Sequence, residues 1–159
     1  MPISSSHIVL ALAGISLLAC SSGEPRNREP SAQDARPAIA SLLDSMANSI
    51  SNRDVDAITA RMPSDSSVVY VSDGQPIRGT ELRTVLRDYY SGIHSLSFRW
   101  DSFELTPLGT QSWGVTSWAR FSVTDSMGNV TPSKAIFTWT VVYDRDRWVL
   151  ARAHRTTVK

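Results

Sequence analysis

From Pro37 onward, apolar residues recur at helical spacing. Ile39, Leu42, Leu43, Met46 and Ile50 fall at i, i+3, i+4, i+7 and i+11, one stripe of an amphipathic helix, and Pro37 suits its first turn. Asn52-Arg53-Asp54 breaks the stripe. Asp54 is placed to cap a second, short helix carrying Val55, Ile58 and Met62, which Pro63 ends. Residues 66–72, SSVVYVS, are β-branched and aromatic and read as a strand, and Asp73-Gly74 turns the chain into a short strand, GQPIRG. Thr80 is the expected cap of a third helix, whose stripe is Leu82, Val85, Leu86, Tyr89 and Tyr90 and whose end is Gly92.

Beyond Gly92 the period falls to two. Long strands are predicted at 94–106, 111–124, 134–143 and 147–157, with hairpin loops at 125–129 and 144–146. In the third of these, Ala135, Phe137, Trp139, Val141 and Tyr143 share one face and Ile136, Thr138, Thr140 and Val142 the other; both faces are apolar or small, so neither is simply solvated. In 94–106 the apolar phase slips from Leu96, Phe98 and Trp100 to Phe103 and Leu105, which requires a bulge near Asp101 and bends the sheet. Helices grouped first and strands after them give an α+β fold, with three N-terminal helices packed in a strongly curved antiparallel sheet.

The first segment obeys a different rule. Ile8 to Ala19 is uncharged and too short to span a bilayer of ~30 Å as a helix, so it reads as the apolar core of a signal peptide. Leu17-Leu18-Ala19-Cys20 resembles the bacterial lipobox, whose cysteine carries diacylglycerol. Residues 21 to 36 hold Pro25, Pro30, serines and alternating charges with nothing apolar larger than alanine, and read as a solvated tether. The expected organisation is a signal peptide at 1–19, a lipidated cysteine and tether at 20–35 and a folded domain at 36–159. The lipobox resemblance implies a partner, the lipid bilayer, reached through acylated Cys20, and an address in the bacterial cell envelope, at the outer membrane facing the periplasm.

Charge and composition remove several functions. With 16 basic and 15 acidic side chains among 159 residues there is no basic stripe to displace counterions from phosphates, so nucleic acid is not an expected partner. One cysteine cannot form an internal disulfide, and histidines at 7, 94 and 154 lack ligand spacing, so neither a metal nor another cofactor is expected.

The order of elements and several short segments resemble the nuclear transport factor 2-like superfamily, in particular its SnoaL-like polyketide cyclase branch. These are residues 52–58 (NRDVDAI), Asp65, Asp73-Gly74, Ile77-Arg78-Gly79 and residues 148–156 (WVLARAHRT). The resemblance spans about 36–157. It implies a cone in which a bent sheet wraps the helices and leaves an apolar pocket at the wide end, and a homodimer formed through the sheet. It implies no single activity, because isomerases, cyclases, dehydratases, hydrolases and binding domains share this scaffold.

Candidate chemistry is sparse. Unbroken alternation from Trp148 places Leu150, Arg152 and His154 on one strand face, and the resemblance aims His154 at the cavity as a proton shuttle; the plain alternative is a half-buried histidine bonded to a neighbouring strand. Arg152 and Arg120 would offer forks to an anion if they face inward, and are surface ion pairs if they do not. Tyr70, Tyr90, Trp118 and Trp139 are candidates for an aromatic pocket wall, with strand phase leaving open which tryptophan faces inward. Two functions remain: a binding or assembly domain taking a small apolar or weakly acidic ligand, or an isomerase, cyclase or lyase acting on a small carbonyl compound through His154.

Overall fold

The computed structural model describes residues 32–63 and 69–158. The segment expected to be a signal peptide, Cys20, most of the expected tether and Asp65 lie outside the described residues, as does the first part of the strand expected at 66–72. Helices α1 (Ala32–Ser51) and α2 (Val55–Thr59) come first, then strands β1 (Val69–Ser72) and β2 (Gln75–Arg78). Helix α3 (Gly79–Ser91) follows, and then β3 (Ile93–Pro107), β4 (Ser112–Asp125), β5 (Val130–Asp144) and β6 (Arg147–Val158).

Helix α1 begins at Ala32, inside the segment expected to be tether, and runs through Pro37. The reason is packing: Ala35 is fully buried, so the inward stripe is Ala35, Ile39, Leu43 and Met46, with Leu42 and Ile50 at its margins. Ala35 buries its methyl at the head of that stripe, which draws the first turn into the helix. Asp54 caps α2 as the sequence suggests, its carboxylate accepting from Ala57 N at 2.9 Å. Thr80 does not cap α3. The helix starts two residues earlier than such a cap would give, at Gly79, and its N-cap position, Arg78, makes no side-chain capping bond.

The six strands form one curved, open sheet in the order β2-β1-β6-β5-β4-β3. It is mixed rather than wholly antiparallel, because β1 runs parallel to β6, pairing Tyr70 with Ala153 and Val71 with His154. Two register shifts decide which side chains look inward. In β3 the shift lies between Trp100 and Ser102, leaving Asp101 as the extra residue, where the slip in apolar phase put it. In β6 Thr140 pairs with Arg152 but Val141 with Leu150, so Ala151 is a second extra residue. Beyond it the faces exchange: Trp148 and Leu150 lie on the inner side before the bulge, and Ala153 and Arg155 after it.

The helices sit against the inner face. Trp100 donates its indole N–H to the Leu43 carbonyl at 2.9 Å. Ser51 Oγ donates to Phe98 O at 3.2 Å and accepts from Phe98 N at 3.1 Å, so the end of α1 is pinned to β3 on both sides of one residue. Leu150 N donates to Arg61 O at 2.8 Å, holding the turn just after α2 to β6.

Candidate functional site

Between α1, α3 and the inner face of the sheet lies a solvent-open cavity of about 190 Å³. Its floor is an aromatic cluster built by strand alternation. Phe98 on β3, Phe121 on β4, and Phe137 and Trp139 on β5 all point inward, with Phe137 and Trp139 stacked at 5.2 Å and Phe98 edge-on to Phe137 at 5.9 Å. The Trp139 indole N–H is not left bare: it donates to Ser117 Oγ at 3.0 Å, and Ser117 is fully buried on β4. The α3 stripe supplies Leu82, Val85, Leu86, Tyr89 and Tyr90 as the opposite wall, and Met46, Ile50, Ile58 and Met62 close the inner end.

Polarity enters at the β1–β6 edge. Tyr70, Ser72 and Arg155 line the cavity there. Arg155 Nη2 donates to Asp73 Oδ2 at 2.7 Å; the same carboxylate accepts from Thr157 N at 2.7 Å and Thr157 Oγ1 at 3.2 Å. The Arg155 bond and then the Thr157 amide hold the Asp73 carboxyl down to about 2. Burial is the largest influence on the Arg155 guanidinium and pulls it toward its neutral form, but the Asp73 bond together with electrostatic attraction to Tyr70, Asp73 and Tyr89 outweighs it and the net shift is upward. Burial is also the main reason that Tyr70 and Tyr90 are raised above an ordinary phenol, so both hydroxyls are protonated donors at neutral pH.

Of the residues singled out from sequence, Tyr70, Tyr90 and Trp139 meet in this cavity. Trp118, Arg120, Arg152 and His154 do not. His154 is exposed on the outer face of β6, where it shares a shallow depression with Val69, Val71, Thr138, Thr140 and Arg152. The bulge at Ala151 is the physical reason that it faces outward, and it brings Arg155 inward in its place. Arg120 is an exposed ion pair, its Nε 2.8 and 2.7 Å from the two oxygens of Asp101. Trp118 shares that outer face, since it pairs with Ile136 across from inward Phe137.

Arg155, Ser72, Tyr89 and the phenylalanines escaped the sequence reading. A signal for Arg155 was present: Trp148-Val149-Leu150 is an unbroken apolar run, and Val149 and Leu150 are both buried, the same breakdown of alternation that marks Asp101. Among the described residues no group of three or more His, Cys, Asp or Glu side chains is gathered as a metal site would need. Nor is any helix among them long and apolar enough to cross a membrane.

The family model of the SnoaL-like domain matches residues 39–156. No curated protein matches the chain. Among solved structures, a ketosteroid isomerase-like protein from Erwinia carotovora atroseptica is 16% identical, covering 77% of this chain and 95% of its own, with a TM-score of 0.65. A hexachlorocyclohexane dehydrochlorinase of LinA type 3 from Novosphingobium barchaimii is 12% identical over 79% of this chain and 87% of its own, TM-score 0.68. A protein with a cystatin-like fold from Caulobacter vibrioides is 13% identical over 78% and 89%, TM-score 0.66. At such identities the likeness is one of fold.

Proposed function

The chain belongs to the SnoaL-like domain family, a scaffold that carries enzymes and binding domains alike, and within it we propose that this member is a small-molecule binding module held at a bacterial cell envelope. The observation that carries the reading is the make-up of the cavity wall. Among its described residues are aromatic and aliphatic side chains, the hydroxyls of Ser72 and three tyrosines, of which Tyr70 and Tyr90 are half-buried, and one arginine, and no Asp, Glu, His, Lys or Cys. An isomerase or lyase needs a group that takes a proton at working pH. Tyr70 and Tyr90 are raised by burial and cannot serve as that base, whereas an apolar pocket with a few polar groups is what a bound ligand needs.

Titration of the full-length chain with benzyl alcohol, read by tryptophan fluorescence, tests this. Saturable binding is expected, and Val85→Trp, at a 39% exposed position on the cavity rim, should abolish it by filling the opening. Absence of saturable binding, or binding unaffected by Val85→Trp, overturns the reading.

The envelope address rests on the Leu17-Leu18-Ala19-Cys20 pattern and on acyl chains that each contribute ~0.8 kcal/mol per buried CH₂. A Cys20→Ser chain should move from the membrane to the soluble fraction. On the outer face of the sheet, Trp118, Ile136, Val69 and Val71 support pairing of two copies, and Ile136→Arg should then shift a sedimenting dimer to monomer.

A further inference from the structure

The polar end of the cavity goes beyond a preference for apolar molecules, and the following rests on the binding reading above. Arg155 is the one charged side chain among the described residues of the wall, and three-quarters of its side chain is withdrawn from solvent. Its Nη2 is satisfied by Asp73, but its Nε is buried with no hydrogen-bond partner. A buried N–H on a cation is costly to leave unpaired and is a strong donor when an oxygen anion meets it. Asp73 is engaged elsewhere as well, since both of its oxygens accept from Thr157. The hydroxyls of Tyr70 and Tyr90, raised by burial and hence protonated, add further donors on the same cavity. The polar end therefore presents N–H and O–H groups to the cavity, and its nearby carboxylate, Asp73, sits behind Arg155 and is not part of the cavity wall.

We infer that the cavity selects a compact apolar carboxylic acid in its ionised form, with the carboxylate on the Arg155 guanidinium and the hydrocarbon body among Phe98, Phe121, Phe137 and Trp139. With Nη2 already bonded to Asp73, the ligand carboxylate takes the remaining guanidinium N–H donors, reaching the buried Nε through a small shift of the side chain, and the planar group orients it as a point charge does not. Size narrows the class. An apolar cavity of about 150 Å³ holds one benzene ring, so about 190 Å³ encloses a single ring and its acid group, while a fused multi-ring body would protrude into solvent.

Calorimetric titration of the full-length chain at pH 7 with benzoate, acetophenone and benzyl alcohol tests the inference. One benzoate should bind per chain, with a dissociation constant roughly ten- to a hundredfold below those of the two neutral compounds. Arg155→Gln should shrink that margin to about threefold or less. Arg155→Lys, which keeps the charge beside Asp73 and loses the fork, should weaken benzoate at least about fivefold and decides the matter if the glutamine variant does not fold. Benzoate binding no tighter than acetophenone, or a margin that survives both substitutions, overturns acid selection while leaving the binding reading intact. Failure of all three compounds to bind overturns both.

Discussion

Asp73 and Arg155 meet at 2.7 Å across the pairing of β1 with β6, the one parallel pair of strands among the described residues. Asp73 opens the two-residue turn between β1 and β2 in a left-handed conformation, φ 49°, followed by Gly74 at φ 85°, so the turn delivers the carboxylate to the last strand. This bond gives stability a defined pH dependence. The folded Asp73 carboxyl, at about 2, lies below the ordinary value of 3.8, so its contribution is present above about pH 4 and lost as pH falls toward 2. Asp73 is 43% exposed at its side chain, and solvent screening reduces the effect to on the order of 1 kcal/mol. Urea unfolding of the parent chain and Asp73→Asn should differ by about that amount at pH 7 and converge near pH 2; a gap that persists at pH 2 would count against the assignment.

Most of the fold was legible in periodicity. The α1 stripe from Ile39 to Met46, the Asp54 cap, the Asp73-Gly74 turn and the bulge at Asp101 are local signals, each set by residues within one turn or one strand. The parallel β1–β6 pair was not, because strand direction is settled by the path of α3 and the hairpins between. The charged residue of the site was lost to one position: the extra Ala151 exchanges the faces of β6, so alternation from Trp148 pointed to His154 where the cavity holds Arg155. Phase that is unambiguous within a strand carries no information across a bulge unless the bulge itself is found.

His154 and Tyr90 thus make opposite predictions. His154→Ala, on the outer face, should leave the affinity for benzyl alcohol within about twofold, since surface substitutions away from a site change free energies by about 0.5 kcal/mol at most. Tyr90→Phe keeps the ring that packs beside Tyr89 at 5.3 Å and removes a cavity hydroxyl; its effect should appear in ligand affinity and not in the unfolding midpoint. Parallel fluorescence titrations and urea melts check both, and loss of binding in His154→Ala would contradict the placement of the site.

Two aspartates with short contacts should differ in worth. Asp54 satisfies an otherwise bare helix N–H at Ala57, and Asp54→Ala should cost roughly 0.5–2 kcal/mol. Arg120, on the other hand, reaches Asp101 with half of its side chain in solvent, and Arg120→Ala should cost about 0–1 kcal/mol, shrinking further in high salt. Denaturation at low and high salt separates the two, because the cap bond should respond far less to ionic strength.

The bond beneath the cavity floor offers a sharper test of what holds the aromatic cluster. Trp139 is 5% exposed and its indole N–H has Ser117 Oγ as its acceptor, on a residue with no exposure at all. Ser117→Ala removes a single oxygen atom yet strands a buried donor, and the stranded donor, not the lost bond, sets the cost at about 1–3 kcal/mol. That reasoning predicts non-additivity. In a Trp139→Phe background no N–H remains to be stranded, so the same Ser117→Ala change should cost less than about 1 kcal/mol. Equal costs in the two backgrounds would mean that Ser117 matters through its packing against Phe103 and Phe137, its partners on the flanking strands, and not through the indole.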